Sequence, residues 1–274
     1  MAKAFAPGNL SCIFKIVNSN NLKKKHSLGV GITTKKGVYV TAAKAKKNIF
    51  YFNNKKIRFP TVVSVIKRLT NEKLKINIKS ELPLGAGFGI SGASALAAAY
   101  AINKLLKLNK NKKQLAMIAH IAEVENSTGL GDVGGQYNGL GFMIKTKKGR
   151  PLEVKKLPVK ANYIYYKVFK KLDTKKIITN KKMKAKINKA ADRTLRKISS
   201  AKNINFKKLT DISEEFARES GLLKDNELKK AIKKIKENNG SASMIMLGNS
   251  VFSNISFSGC KKARVGNRGA YVCP

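Results

Sequence analysis

Leu74-Lys75-Ile76-Asn77-Ile78-Lys79 is followed by Glu81-Leu82-Pro83-Leu84-Gly85-Ala86-Gly87-Phe88-Gly89-Ile90-Ser91-Gly92-Ala93-Ser94-Ala95 and then by Leu96-Ala97-Ala98-Ala99-Tyr100-Ala101-Ile102-Asn103-Lys104-Leu105-Leu106. The first piece alternates apolar and polar residues, as a half-buried strand does. The third is rich in strong helix formers, with apolar residues at helical spacing. The order is therefore strand, glycine loop, helix. Glycines let the backbone take positive φ and come close to a ligand. A helix that starts there turns unpaired N–H groups and the positive end of its dipole toward the loop, and such a site favours phosphate. No Asp or Glu occurs between Glu81 and Glu123, so nothing in the loop or the helix repels a polyphosphate.

Several phosphate loops are excluded by what surrounds the glycines. A Walker A loop ends in Gly-Lys-Ser/Thr, and no lysine follows here. Gly87-Phe88-Gly89-Ile90-Ser91-Gly92 fits Gly-x-Gly-x-x-Gly, but a dinucleotide fold places an acidic residue about 20 positions further on, and this chain has none there. The His-Arg-Asp and Asp-Phe-Gly signatures of protein kinases are missing. The stretch instead resembles motif 2 of the GHMP kinases, Pro-x-x-x-Gly-Leu-Gly-Ser-Ser-Ala. Pro83, Gly87, Gly89 and Ser91 fall on its fixed positions. Within that superfamily Leu82–Ala93 looks most like the archaeal pantoate kinases. The resemblance implies ATP as phosphoryl donor, cradled by Pro83, Gly85, Gly87, Gly89, Ser91, Gly92 and Ser94.

Toward the N-terminus, Phe5-Ala6-Pro7-Gly8-Asn9 reads as a strand entering a turn, and it resembles GHMP motif 1. Pantoate kinases usually carry His where this chain has Asn9. Ser27, Gly29 and Gly31 match a second stretch of that family, while Leu28 stands where the family has arginine. An arginine suits a substrate carboxylate, and a nearby lysine can replace it as a point charge. His26 reads as a solvated loop histidine.

Toward the C-terminus, Asn111-Lys112-Lys113-Gln114 reads as a capped helix start. That helix carries His120-Ile121-Ala122-Glu123-Val124-Glu125-Asn126-Ser127-Thr128-Gly129-Leu130-Gly131-Asp132. Glu123 and Glu125 lie about 200° apart on a helix, so both cannot aim at one site. Asp132 follows a Gly-Leu-Gly turn 132 − 123 = 9 residues after Glu123, close enough for helix end and loop to face one ligand. His120 reads as a packing or capping residue. This segment is similar to pantoate kinase almost throughout. Carried over by position, the resemblance implies Mg²⁺ on Ser91 and Glu123, with Asp132 at the acceptor hydroxyl. Magnesium takes few protein ligands beside phosphate oxygens, so one carboxylate and one hydroxyl suffice.

Elsewhere, Val38–Thr41, Ile49–Phe52, Leu140–Thr146 and Tyr163–Phe169 read as strands. Thr61–Leu69, Met183–Ile198, Phe206–Ser220 and Asp225–Asn238 read as helices. Asn53-Asn54 reads as a turn. Ser243–Phe252 reads as strand, turn, strand around Gly248, similar to a glycine-poor GHMP motif 3. Lys147–Pro151 marks the expected boundary between halves spanning 1–150 and 151–274.

The chain of 274 residues has 57 basic and 15 acidic residues, a net charge of 57 − 15 = +42. The lysines are spread throughout, arginine is scarce beside them, and no RNA-binding motif is present, so the charge reads as a solvated surface rather than a specific nucleic-acid interface. Cys12, Cys260 and Cys273 have neither metal-ligand spacing nor a disulfide pattern. With no leader and no apolar run long enough to span a bilayer, a cytoplasmic protein without a membrane partner is expected. The expected fold is α+β with the GHMP-kinase two-half architecture: a ribosomal-S5-like N-terminal half and a ferredoxin-like C-terminal half. The expected activity is transfer of the γ-phosphoryl of ATP to the 4-hydroxyl of (R)-pantoate, for coenzyme A synthesis. A homodimer is one open assembly. Two other readings stand beside it: a GHMP kinase with homoserine, mevalonate or a sugar as acceptor, and a basic nucleic-acid-binding protein on a related fold.

Overall fold

A computed structural model of the chain describes residues 1–170, 177 and 179–274. Strands β1 (Ala2–Val17), β2 (His26–Lys44), β3 (Ile49–Phe52), β4 (Lys55–Lys56) and β5 (Leu74–Ser80) build most of the first sheet. They are joined by β6 (Phe142–Lys145), β7 (Lys155–Lys156) and β12 (Tyr271–Val272). Among the described residues this sheet runs β12-β1-β2-β5-β3-β4, with β6 beside one part of β2 and β7 beyond it. Its pairs are antiparallel except β3 with β5. The Asn53-Asn54 turn has both residues at positive φ, 46° and 67°. That is the signature of the tight hairpin turn whose twist matches its strands.

Four helices precede β6: α1 (Pro60–Leu69), α2 (Ile90–Leu106), α3 (Lys112–Asn126) and α4 (Asp132–Asn138). Helix α2 is buried from Gly92 to Ile102. It packs against β1, β2, α1, α3 and α4. A helix enclosed on all sides is apolar all round, which is why Ala93–Ile102 carries no polar stripe. Its small alanines let the neighbouring elements approach. Helix α3 begins with the capping box expected at Asn111 and Gln114, both reciprocal bonds being 2.9 Å.

The second sheet runs β11-β8-β10-β9, from β8 (Tyr163–Lys170), β9 (Ala242–Ile245), β10 (Asn249–Ser253) and β11 (Lys261–Arg264). Helices α5 (Lys181–Ser200), α6 (Phe206–Glu219) and α7 (Asn226–Glu237) accompany it. The first sheet and the glycine loop are tied to the elements around the second sheet. Met246 N donates to Ser11 O at 3.0 Å, Ser213 Oγ to Cys12 O at 2.8 Å and Ser250 Oγ to Ala86 O at 3.0 Å. The turn between β9 and β10 is pressed onto that loop so closely that a Cβ on Gly248 would lie 2.2 Å from Ala86 O.

Two local expectations are corrected. Pro7-Gly8 is not a turn: β1 continues through it, with register shifts between Pro7 and Asn9 and between Ser11 and Ile13. Proline brings no N–H to the ladder, and Gly37, its cross-strand partner, gives its own N–H to Glu81 Oε2 at 3.0 Å instead. Irregularities of this kind re-aim side chains, and here Asn9 follows the first of them. His26 is not solvated either. It opens β2 fully buried, between Ser27 O (3.1 Å, Nδ1) and the Gly149 N–H, which it accepts on Nε2 at 2.9 Å.

Candidate active site

The glycine loop, the α3–α4 connection and the β9–β10 turn enclose a cavity of about 340 Å³. Gly85, Gly87, Gly89 and Ser91 line it, facing Thr128, Gly131 and Asp132 across it and Leu247 at its edge. Gly89 caps α2 with φ 60° and ψ 31°, the left-handed conformation in which glycine carries no penalty. A Cβ there would also fall 2.8 Å from Asp132 Cγ. The helix therefore begins earlier than its sequence suggests. Ser91 and Gly92 lie in its first turn, and Ser94 lies deeper, its buried hydroxyl spent on Ile90 O at 2.8 Å. Pro83, Gly92 and Ser94 do not line the cavity, whereas Ser91 does. The Ser91 hydroxyl is held 2.9 Å from Thr61 Oγ1.

Glu123 and Glu125 part as helical geometry requires. Glu125 is solvent-facing and pairs with Arg68 at 3.1 Å. Glu123 is 1% exposed and turns inward. Neither of its carboxylate oxygens has a hydrogen-bond partner among the described residues. Glycines surround them: a Cβ on Gly92 would stand 2.7 Å from Oε2, and one on Gly129 2.6 Å from Oε1. A bare buried carboxylate is expensive. Burial, and secondarily the charge of Asp132, hold the Glu123 carboxyl well above the usual range, while Lys145 opposes them. A divalent cation would remove that cost, so the bare Glu123 carboxylate fits one. Among the described residues no group of three or more His, Cys, Asp or Glu converges.

Asp132 is the first residue of α4, at the cavity wall. Asn9 Nδ2 donates to its Oδ1 at 2.7 Å. Burial raises the Asp132 carboxyl, and the Asn9 bond and Lys145 pull it back. No motif in the sequence singles out Lys145, yet it belongs to the site. It ends β6 and is 6% exposed, with Nζ donating to Gly131 O at 3.2 Å. Burial lowers its pKa to about 8 against the pull of Asp132 and Glu123. It lines a side chamber of about 30 Å³ with Asn9, Ser27, Gly31 and Gly135. Ser11, Phe14, Ser27 and Gly131 line both spaces, so the chamber opens from the main cavity. Leu28 also borders this chamber, where an arginine was expected. His120 is buried and bonded to Lys25 O at 3.1 Å. Burial first, and Lys145 second, lower its pKa to about 3, so it stays neutral.

A glycine loop at a helix start, a bare carboxylate behind it, an oriented aspartate beside it and a cation in an adjoining chamber make up the site of a small-molecule phosphotransferase. Comparison with known proteins agrees. Residues 59–139 match the GHMP kinases N terminal domain. The chain is 40% identical over 253 residues to pantoate kinase of Methanocaldococcus jannaschii, covering 90% of each protein. It is 28% identical to pantoate kinase of Methanospirillum hungatei, covering 91% of this chain and 86% of that one. A solved structure described as a phosphotransferase related to the CoA biosynthesis pathway superposes with a TM-score of 0.86 at 22% identity, covering 99% of this chain and 98% of that one. The chain belongs to the GHMP kinase family, and these full-length relatives are pantoate kinases.

Proposed function

We propose that the protein is a pantoate kinase, transferring the γ-phosphoryl of ATP to the 4-hydroxyl of (R)-pantoate. The observation that carries the reading is the placement of Asp132 on the wall of the cavity lined by the glycine loop, with the bare Glu123 carboxylate behind Gly92 and Gly129 and Lys145 in the adjoining chamber. Lys145 supplies the point charge for the acceptor's carboxylate, which Leu28 cannot. With the carboxylate in the side chamber, the far hydroxyl of a short acid extends toward Asp132. Asp132, made more basic by burial and aimed by Asn9, takes the hydroxyl proton as the oxygen bonds to the γ-phosphorus. The bond from that phosphorus to the β–γ bridging oxygen breaks, and ADP leaves. The backbone N–H groups at the start of α2 face the phosphates. Magnesium, held by Ser91 and Glu123, would neutralise charge on the phosphate oxygens when bound. Positioning and preorganised electrostatics supply most of the catalysis in such transfers.

The test is ADP release from ATP and magnesium, with and without (R)-pantoate, against homoserine, mevalonate and a sugar panel. Release dependent on pantoate supports the reading. Release only with another alcohol moves the substrate and defeats it. The relatives' names favour pantoate over the other acceptors.

A further inference from the structure

Asn9 is 3% exposed and is fixed in orientation by a group that can only accept. Its Nδ2 donates to the Asp132 carboxylate at 2.7 Å, so its carbonyl Oδ1 must face the other way. There it has no partner among the described residues. Gly31 and Gly135 flank it: added Cβ atoms would lie 3.2 Å and 2.6 Å from Oδ1. Both glycines line the side chamber with Asn9 and Lys145. A Cβ on Gly135 would also meet the Met143 methyl at 2.5 Å, and Ser11 and Ser27 line the chamber too, neither giving a hydrogen bond to Asn9 Oδ1. Lys145 Nζ donates to Gly131 O and lies in the field of Asp132 and Glu123, but gives no hydrogen bond to Asn9 Oδ1. The chamber thus presents one buried cation and one buried acceptor lacking a donor, in a space of about 30 Å³. That is room for a small polar terminus and not for a whole acceptor. A carboxylate with a hydroxyl on the adjacent carbon is the group that answers both.

We propose that Asn9 Oδ1 accepts a hydrogen bond from the α-hydroxyl of the acceptor, so that the chamber selects α-hydroxy acids. This rests on the pantoate reading and deepens it: one side chain aims the aspartate at the reacting hydroxyl and reads the non-reacting one. A site built to bond a hydroxyl discriminates strongly against an analogue lacking it, because its own buried group is then left unpaired.

The test compares kcat/KM for (R)-pantoate and for 4-hydroxy-3,3-dimethylbutanoate, which lacks only the α-hydroxyl, in the unaltered enzyme and in Asn9→Leu. The unaltered enzyme should prefer pantoate by at least about 30-fold. Asn9→Leu should be slower on both, having lost the bond to Asp132, but its preference should collapse to within about threefold. Equal rates on both acids in the unaltered enzyme overturn the proposal, and so does a preference that survives Asn9→Leu. The first comparison needs no variant, so it decides even if Asn9→Leu fails to fold. Failure to phosphorylate pantoate at all would defeat the underlying reading; turnover of pantoate without preference would defeat this inference alone.

Discussion

The hydroxyl of Thr61 lies 2.9 Å from that of Ser91, and 3.3 Å from that of Thr128 on the far side of the cavity mouth. Thr61 is 1% exposed on α1, whose Ser64 also meets the cavity wall by accepting from Asn126 Nδ2 at 2.9 Å. The bond restricts the Ser91 rotamer, and if Ser91 meets the phosphates its loss should show in the kinetics. Thr61→Val keeps the shape and removes the bond. One net hydrogen bond is worth about 0.5–1.5 kcal/mol, so kcat/KM for ATP should fall roughly two- to tenfold. Steady-state kinetics with varied ATP would show it, and an unchanged value would remove Thr61 from the site. Ser91→Ala should cost more, about 10²-fold or beyond, since the ligand itself is lost.

The bare, buried Glu123 carboxylate costs the fold stability that a bound cation would offset. Its carboxyl is raised by burial, so in the metal-free fold it is a group whose folded pKa exceeds its unfolded value of about 4.3. Such a group favours the fold below the unfolded pKa, and that contribution is lost as pH rises through the folded pKa. At neutral pH Glu123→Gln should therefore melt no lower than the unaltered protein without divalent cation. The difference in Tm should move in favour of the Glu123→Gln variant as pH climbs from about 4. Turnover should drop by several orders of magnitude, and the stabilisation by magnesium and nucleotide should vanish. Thermal melts with and without magnesium across pH 4–9 would check both halves of the expectation.

Lys145 predicts the alkaline limb of the pH profile. Its pKa is lowered to about 8 by burial, while Asp132 and Glu123 hold it from falling further; the neighbouring histidines His26 and His120 are neutral, their own pKa values lowered to about 4 and about 3. Below about 8 the ammonium is charged and can pair with a carboxylate; above it the acceptor loses its counter-charge. The value of kcat/KM for the acid acceptor should fall about tenfold per pH unit above that point, while kcat/KM for ATP stays level. Lys145→Met should abolish the pH dependence and raise the acceptor KM at neutral pH. A flat profile in the unaltered enzyme would place the carboxylate elsewhere.

What is legible in the chain follows from how each signal is written there. The strand–loop–helix at Leu74–Leu106, the cap at Asn111 and the parity of Glu123 against Glu125 are local, and local geometry suffices to read them. The start of α2 is harder to place because glycine and serine look like loop, yet Ile90–Ala95 is carried into the helix by burial beneath α3 and α4. The continuation of β1 through Pro7-Gly8 depends on a long antiparallel partner, His26–Lys44, whose register no neighbouring residue encodes. Lys145 is hidden by abundance. Among 57 basic residues nothing local separates one buried lysine from the solvated ones. The only cue is indirect: Leu28 stands where an arginine is wanted, so some other cation has to serve.

Gly92 separates stability from activity most sharply. It sits in the first turn of α2 at an ordinary helical conformation, where alanine would normally favour the helix by about 0.5–1 kcal/mol. An added Cβ would, however, lie 2.7 Å from Glu123 Oε2 and 3.0 Å from Gln136 Oε1. Gln136 cannot yield freely, since its Nε2 donates to Gly89 O at 2.7 Å and so anchors the glycine that caps the helix. Glu123 is the side chain that must move. Gly92→Ala should therefore leave Tm within a few degrees of the unaltered protein, because helix propensity and local crowding oppose each other. Its kcat should fall at least about 100-fold through the displaced carboxylate. Melting and single-turnover assays on the same preparation would test this. A fully active, folded Gly92→Ala protein would show that the carboxylate behind the glycine loop is not where the phosphate chemistry needs it.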